Sequence, residues 1–315
     1  MTAAGDHELA RDLAAQAGER LLGLRARGGD PDRLRAAGDR LSQEFLAAQL
    51  AARRPGDAVL SEEAADDPAR LAASRVWIVD PLDGTREFGE PGRTDWAVHV
   101  ALWQRGAGRG GDLVAGAVAL PAQGVVLSTP GPPFPLRPPQ RCATGVAITT
   151  AMAHRCGPAG GPGGRISGMP DMRDRQRSAA GDGGQRTHGE DAAPRAGGRG
   201  RPVRIVVSRT RAPRLVHHVS ARTGAELVPM GSAGAKVAAV IRGAADAYLH
   251  SGGCYEWDTA APVACARAAG LHASRIDGSP LAYNQATAAM PDILVCRPAL
   301  AAGLLQAIRE AADAS

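Results

Sequence analysis

The segment VWIVDPLDGTREF, residues 76–88, constrains the fold of this chain more than any other feature. Its apolar, β-branched start predicts a buried strand, and Pro81 predicts that the strand ends at Asp80, at the rim of a sheet. Asp83 and the Gly-Thr pair after it predict the start of a helix, whose first N–H groups lack intrahelical partners and can bind an anion. Two carboxylates beside such a helix start suit a divalent metal that bridges them to a phosphoryl group.

Two other interpretations of this segment compete with a metal site. The simpler one is a strand, a proline turn and an Asp that caps a helix, because Asp is a preferred N-cap residue. The other is a phosphatase of the haloacid dehalogenase type, which also places acids before Gly-Thr. Its two Asp lie two positions apart, whereas Asp80 and Asp83 lie three positions apart, so this class is disfavoured.

Three further acids lie where a predicted strand ends or a predicted helix starts. Glu62 follows the short apolar run of residues 58–60. Asp258 precedes a helical stretch of small residues, and Asp39 opens the helical pattern of residues 39–53. Taken singly, Glu62 could lie in a solvated acidic turn, and the two Asp could be N-caps. Taken with the two acids of the first segment, they are what a metal cluster with oxygen ligands requires.

Four segments in a fixed order, LSEE, WIVDPLDGTREF, GSAGAK and YEWDTAAP, carry a resemblance to a known family. The set resembles the inositol monophosphatase superfamily of lithium-sensitive, Mg²⁺-dependent sugar and nucleotide phosphatases. Within it, DPLDGTREF, GDRLSQEF and GSAGAK are most similar to the actinobacterial 3′(2′),5′-bisphosphate nucleotidases of sulfur assimilation. The resemblance covers residues 1–130 and 203–315. It implies an α/β (α+β) fold, layered as an α/β/α/β/α sandwich with the metals between two halves.

The resemblance also implies the roles of individual residues. The implied metal ligands are Glu62, Asp80, the carbonyl of Leu82, Asp83 and Asp258. Asp39 and Thr85 would orient the attacking water, with Glu62 as a further catalytic residue. The implied substrate contacts are Asp83, Gly84, Thr85, Gly231, Ser232, Lys236 and Asp258. Two or three Mg²⁺ per site are expected, with inhibition by Li⁺.

Lys236 is the only lysine in a chain whose other basic residues are all arginine. Arginine replaces lysine readily on a surface, but the exchange is not neutral where a compact charge meets a phosphate. A functional lysine and a coincidence explain this pattern equally well.

The implied activity is Mg²⁺-dependent hydrolysis of adenosine 3′,5′-bisphosphate to AMP and phosphate, with the sulfated nucleotide as a further candidate substrate. Inositol monophosphatase and fructose-1,6-bisphosphatase activities are alternatives. The lead RLRAAGDR before Asp39 lacks the lysine common in inositol phosphatases, which weakens that assignment. An alternative of another class is a catalytically weak nucleotide-binding or regulatory protein. The presence of the whole acidic set argues against it.

Residues 131–202 differ in composition from the rest of the chain. They hold 11 Arg against 5 acidic residues, so they account for the net charge of +5, and 15 Gly with 10 Pro predict a low-complexity, disordered insert. The Arg side chains are not interleaved with aromatics, so nucleic-acid binding is not expected. A surface insert and a reading-frame disturbance in a GC-rich gene both explain the stretch. The flanking parts, 1–130 and 203–315, are interpreted as an α+β metal-binding half and an α/β half.

Other features point to a cytoplasmic enzyme whose partner is a small phosphorylated molecule. No apolar run is long enough to span a membrane, and the charged start MTAAGDHELARDLA is not a signal peptide. Five scattered cysteines predict neither a disulfide framework nor a zinc site. His99 and His250 are predicted in strands and not as metal ligands. The oligomeric state leaves no trace in the sequence.

Overall fold

The computed structural model describes residues 3–106, 110–130, 134–135 and 201–313. The helices are α1 (Ala3–Ala26), α2 (Pro31–Arg53), α3 (Thr85–Gly89), α4 (Arg214–Thr223), α5 (Ala233–Ile241), α6 (Glu256–Ala268) and α7 (Pro298–Asp313). The strands are β1 (Ala58–Ser61), β2 (Arg75–Asp83), β3 (Ala97–Arg105), β4 (Gly111–Leu120), β5 (Val125–Ser128), β6 (Phe134–Pro135), β7 (Arg204–Ser208), β8 (Glu226–Met230), β9 (Ala247–Tyr255), β10 (His272–Ser274) and β11 (Ala289–Cys296). Short 3-10 turns lie at Pro68–Leu71 and Pro121–Gln123.

The strands form two mixed sheets. The first has the order β1-β2-β3-β4-β5-β6, and all its pairs are antiparallel except β1 with β2. The second has the order β10-β11-β9-β7-β8, in which β7 runs parallel to both of its neighbours. The first sheet belongs to the N-terminal half of the chain and the second to the C-terminal half.

Helices cover both faces of each sheet and create five layers. Helices α1 and α2 pack on the outer face of the first sheet, where Leu9, Leu13, Ala17 and Leu21 of α1 are buried on one side of the helix. Helices α5 and α6 lie between the two sheets in the central core. Helices α4 and α7 cover the outer face of the second sheet. The predicted α/β/α/β/α sandwich is therefore confirmed.

The predicted end of β2 is wrong. The strand continues through Pro81 to Asp83, and Asp80 is only 1% exposed, so it does not lie at a rim. β1 ends opposite Val79, which leaves the last part of β2 with a partner on one side only. The register with β3 also shifts between Asp80 and Asp83. A proline is tolerated at such a position because no ladder hydrogen bond requires its missing N–H.

The predicted start of α2 at residue 39 is also wrong. The helix begins at Pro31, and the Asp30 side chain caps it by accepting a hydrogen bond from Arg33 N at 3.0 Å. Proline at the first helical position and Asp at the N-cap are the usual pair of start signals. Asp39 therefore lies inside the helix, which removes the N-cap interpretation of this residue.

Most of the predicted insert, residues 131–202, lies outside the described residues. The described part comprises 134–135, which form β6, and 201–202, where Arg201 forms an ion pair with Asp246 at 2.8 Å. The prediction of disorder concerns the remainder and stays a prediction. Across the described ranges, the helices are all too short or too polar to cross a bilayer.

Candidate active site

A cavity of about 610 Å³ lies where the end of β2 meets the first turns of α5 and α6. Nearly all the residues singled out from the sequence line it: Glu62, Asp80, Leu82, Asp83, Gly84, Thr85, Gly231, Ser232, Lys236 and Asp258. Asp39 does not line the cavity but contacts Thr85. The fold thus brings together cavity residues as far apart in the chain as Glu62 and Asp258.

Asp80 is a buried carboxylate with an unsatisfied oxygen. Its Oδ1 accepts a hydrogen bond from Leu82 N at 3.0 Å, which fixes the side chain against its own turn. Its Oδ2 is buried without a hydrogen-bond donor among the described residues. Burial, followed by the charges of Asp83 and Glu62, raises the pKa of Asp80 well above its usual value. A buried acceptor in this condition is stabilised by a cation.

Asp83 is held by donors from the C-terminal half. Its Oδ2 accepts hydrogen bonds from Ser232 Oγ at 2.6 Å and from Gly234 N at 2.8 Å, and His99 Nε2 lies 3.2 Å away. Burial raises the pKa of Asp83, but the charges of His99 and Lys236 and these hydrogen bonds outweigh it, so the pKa is lowered. With Oδ2 committed to these donors, Oδ1 is the oxygen that can face a cation.

His99 is the residue that sequence reasoning missed. Its ring lies within a group with Asp80 and Asp83 in which one potential ligand atom of each residue lies within 4.8 Å of the others. The ring is fully buried, does not line the cavity, and has Nδ1 3.1 Å from Trp257 O. Burial disfavours the charged imidazole, but the charge of Asp83 outweighs this and raises the pKa of His99. His99 therefore lies behind Asp83, where its charge favours the ionised carboxylate.

The pairing of β2 with β3 explains why His99 was not found from the sequence. His99 lies opposite Asp80 in the register of the two strands, and this register cannot be read from either strand alone. Gly234 of α5, in the C-terminal half, lies very close to the His99 ring. A Cβ atom at Gly234 would lie 2.1 Å from His99 Nε2, so the position requires glycine.

Glu62 and Asp258 complete the acidic cluster from two other elements. Glu62 lies in the turn after β1, and Asp258 lies in the first turn of α6, where its Oδ2 accepts a hydrogen bond from Tyr255 N at 2.6 Å. Burial, and then the charge of Asp258, raise the pKa of Glu62 to about 7. Burial, and then Asp83, raise the pKa of Asp258 to about 6.

The cluster as a whole fits a bound metal. Burial, and then mutual repulsion, raise the pKa values of three of the four acids, and Asp80 has a buried oxygen without a donor. Oxygen donors of this kind suit a hard divalent cation, which would relieve both the repulsion and the unsatisfied oxygen.

Asp39 and Thr85 meet at the side of this cluster. Thr85 Oγ1 lies 3.2 Å from Asp39 Oδ1 and 3.0 Å from the carbonyl oxygen of Leu82. A hydroxyl has one proton, so donation to Asp39 leaves the Leu82 carbonyl free for another partner. Burial, and then the charge of Glu63, raise the pKa of Asp39 to about 6, against the hydrogen bond from Thr85, which lowers it. Gly84, at φ 86°, provides the left-handed turn that starts α3.

The GSAGAK segment forms the junction between the two halves. Gly231 N donates to Asp95 Oδ2 at 2.6 Å, and Ser232 caps α5 by accepting from Ala235 N at 2.9 Å. Lys236 Nζ donates to Gly231 O and lies 5.2 Å from the centre of the Tyr248 ring. Burial lowers the pKa of Lys236, against the surrounding carboxylates, of which Asp83 contributes most.

The model of the inositol monophosphatase family matches residues 7–131 and 199–313. This chain belongs to that family. The resemblance inferred from the sequence is therefore confirmed. The family model leaves residues 132–198 unmatched, and these lie within the segment interpreted as an insert.

Mycobacterial phosphatases are close relatives of this family member. The 3′-phosphoadenosine 5′-phosphate phosphatase of Mycobacterium leprae is 44% identical over 311 residues, which is 97% of this chain and 94% of the relative. The Mycobacterium bovis protein of the same name is 45% identical over 297 residues, 94% of this chain and 90% of the relative. This family member is accordingly a phosphomonoester hydrolase.

Solved structures agree with the fold of this family member. Inositol monophosphatase II of Staphylococcus aureus has a TM-score of 0.65 at 18% identity and covers 96% of this chain and 94% of its own. CysQ of Bacteroides thetaiotaomicron has a TM-score of 0.63 at 24% identity, with coverages of 93% and 97%. At these identities the likeness concerns the fold alone.

Several cavity residues of this family member were not singled out from its sequence. Arg209 and Arg211 follow the end of β7, while Tyr248, His250 and Tyr255 belong to β9. That β7 and β9 are neighbours cannot be read from either strand alone. Their pairing places these side chains in the same cavity as the acidic cluster.

Proposed function

We propose that this chain hydrolyses the 3′-phosphate of adenosine 3′,5′-bisphosphate and releases AMP and phosphate. The observation that carries the proposal is the complete acidic cluster in one cavity. The substrate follows from the mycobacterial relatives, which are named for this nucleotide and cover more than nine tenths of the chain. The sulfated nucleotide is proposed as a second substrate, and sulfur assimilation as the setting.

The metal is proposed to be Mg²⁺, with two or three ions per site and inhibition by Li⁺. Its ligands would be Glu62, Asp80, the Leu82 carbonyl, Asp83 and Asp258, because carboxylate and carbonyl oxygens are the donors that Mg²⁺ prefers. When bound, Mg²⁺ supplies charge neutralisation at the phosphoryl and leaving oxygens and makes water a better nucleophile at neutral pH.

Asp39 and Thr85 are proposed to orient the attacking water. Above about pH 6, the pKa of Asp39, its carboxylate accepts a hydrogen bond from the Thr85 hydroxyl. Thr85 Oγ1 then presents a lone pair that can accept a hydrogen bond from a water molecule and fix its direction. The N–H groups of Gly84 and Thr85, which lack intrahelical partners, would bind the phosphate oxygens.

The second phosphate of the substrate requires a cation of its own. Lys236 and Arg211 both line the cavity and are proposed to meet this phosphate. Arg209 also lines it, but this side chain is engaged with Glu87 at 2.7 Å and Glu90 at 2.8 Å. Gly231 and Ser232 are proposed to shape the same wall.

The cytoplasm is proposed as the compartment, which agrees with five scattered cysteines whose spacing predicts no disulfide framework.

Phosphate release from a panel of substrates tests the proposed function. Adenosine 3′,5′-bisphosphate, its sulfated form, inositol 1-phosphate and fructose 1,6-bisphosphate would be compared with and without Mg²⁺. We expect Mg²⁺-dependent release with a clear preference for the nucleotide. A preference for inositol or fructose phosphates would move the chain to another branch of the family. Nucleotide binding without turnover of any substrate would support a binding or regulatory protein.

A further inference from the structure

Tyr255 stands out because it is a large apolar ring left open to solvent. Tyr255 is 51% exposed, and among the Phe, Tyr and Trp residues whose side-chain exposure the structure describes, it is the only exposed one. It also lines the active-site cavity. An exposed aromatic ring in the wall of a polar site offers an open π face to a flat ligand.

The ring of Tyr255 is supported on one side. It stacks on Trp257, with ring centres 4.7 Å apart and planes 11° apart. Trp257 in turn packs against the central hydrophobic core. One face of Tyr255 is thus covered by a rigid support, and a flat ligand on the other face would find a surface that needs no further ordering.

The backbone of Tyr255 ties the ring to the acidic cluster. Tyr255 N donates to Asp258 Oδ2 at 2.6 Å, so the ring lies one helical turn from a proposed metal ligand. A substrate whose phosphate lies at the cluster would place its next group beside this wall. Inositol and fructose have no π face, whereas a purine has one.

We propose that Tyr255 is the residue that selects nucleotides, because the base of the substrate stacks on its open face. The inference rests on the proposed function, of which it specifies one contact. Tyr255 takes no part in the hydrolysis itself. Its contribution belongs to binding of the base, and substrates without a base do not use it.

Two variants separate the ring from the hydroxyl. Tyr255→Ala removes the platform but retains the backbone N–H that contacts Asp258, and Tyr255→Phe retains the ring. The substrates would be adenosine 3′,5′-bisphosphate and 1′,2′-dideoxyribose 3′,5′-bisphosphate, which has both phosphates and no base. We expect Tyr255→Ala to lower kcat/KM for the nucleotide about 10- to 100-fold, the size of a base–aromatic stack, mainly through KM. The abasic substrate should change by less than about twofold, a surface-mutation effect.

Matched controls make the outcome decisive. Val114→Ala removes an exposed apolar side chain of β4 that does not line the cavity, and it should leave both substrates unchanged. Tyr255→Phe should behave as the parent. An equal loss on both substrates in Tyr255→Ala would show that the ring only supports Asp258. An unchanged kcat/KM for the nucleotide would also overturn the proposal.

Binding of AMP, measured by calorimetry in the presence of Mg²⁺, separates this proposal from the proposed function. AMP retains the base and one phosphate, so it reports the stack without turnover. Tyr255→Ala should weaken AMP binding about 10- to 100-fold. That result would support the stack even if the parent chain hydrolysed neither bisphosphate, whereas equal AMP affinity in the two proteins would overturn it.

Discussion

The two walls of the cavity differ in how their side chains are held. The wall from the N-terminal half carries Asp80 and Asp83, which are buried and fixed by backbone N–H groups and neighbouring side chains. The opposite wall, from the C-terminal half, carries exposed side chains such as Arg211 and Tyr255. The first wall has little freedom to vary because one oxygen of each carboxylate is held by hydrogen bonds from the surrounding fold. The second can change without disturbing the fold, which suits it to substrate selection.

Removing one carboxylate charge from the first wall should have the largest effect. We expect Asp83→Asn to lower Mg²⁺-dependent kcat by about three orders of magnitude or more, since a metal contributes several kcal/mol to this type of reaction. The amide retains an acceptor for Ser232 Oγ and Gly234 N, so the protein should still fold. Phosphate-release kinetics and circular dichroism would check both expectations.

The matched control for this variant is Asp112→Asn. Asp112 is an exposed carboxylate on β4, paired with Arg267 at 2.9 Å, and it does not line the cavity. Its loss should leave kcat unchanged. A near-normal rate in Asp83→Asn would refute the assignment of Asp83 to the metal site and with it the contrast between the two walls.

Lys236 lies where the two walls meet, so its substitution tests whether it serves the substrate or the carboxylates. Lys236→Met should raise KM for adenosine 3′,5′-bisphosphate about 10- to 100-fold, the value of one charge-assisted hydrogen bond, with a smaller effect on kcat. The requirement for Mg²⁺ should not increase, because the substitution removes a positive charge from beside the carboxylates. Steady-state kinetics at several Mg²⁺ concentrations would separate these effects.

Arg242→Met provides the comparison for Lys236. Arg242 is an exposed cation at the end of the same helix and donates to Gln123 at 2.8 Å. It should leave KM unchanged. If Lys236→Met altered the Mg²⁺ requirement while KM for the nucleotide stayed constant, Lys236 would act as a counter-charge for the carboxylates and not as a substrate contact.

The two walls also differ in how far the sequence predicted them. The acids Glu62, Asp80, Asp83 and Asp258 could be found because each lies in a short segment with a recognisable pattern, and the fold places all four in the cavity. His99 could not be found, because its contact with Asp83 depends on how β2 pairs with β3.

The wall from the C-terminal half was harder to predict, because the positions of its side chains also depend on how the strands pair. Tyr255 lies in the recognised segment YEWDTAAP, but its exposure depends on Trp257 and on the neighbouring strands. Arg211 lies in no recognised segment. The layered fold itself followed from the resemblance, while the start of α2 and the end of β2 were missed. Each place contains a proline: Pro31 is the first residue of α2, and Pro81 lies within the last part of β2, where the strand has one free edge.

Protonation of the acidic cluster, which combines Glu62, Asp80 and Asp83 with Asp258 of α6, gives the smallest of the predicted effects, a pH-dependent response to Mg²⁺. The pKa of Glu62 is raised to about 7 and that of Asp258 to about 6, so without metal the folded protein retains protons that the unfolded chain has lost. These groups therefore destabilise the metal-free protein as pH rises from about 4 to about 7. Mg²⁺ competes with the same protons and should stabilise the protein more at pH 8 than at pH 5.5.

Thermal unfolding with and without Mg²⁺ at pH 8 and pH 5.5 would measure this difference. At saturating Mg²⁺ we expect a rise in Tm of about 5 °C at pH 8, from about 2–3 kcal/mol of binding free energy, and a smaller rise at pH 5.5. NaCl at equal ionic strength controls for screening, and Asp83→Asn should lose most of the shift. The lowered pKa of Asp83 acts only below its ordinary range, outside this window. An equal shift at both pH values would mean that Mg²⁺ binds away from Glu62 and Asp258, and the proposed metal site would then be confined to Asp80 and Asp83.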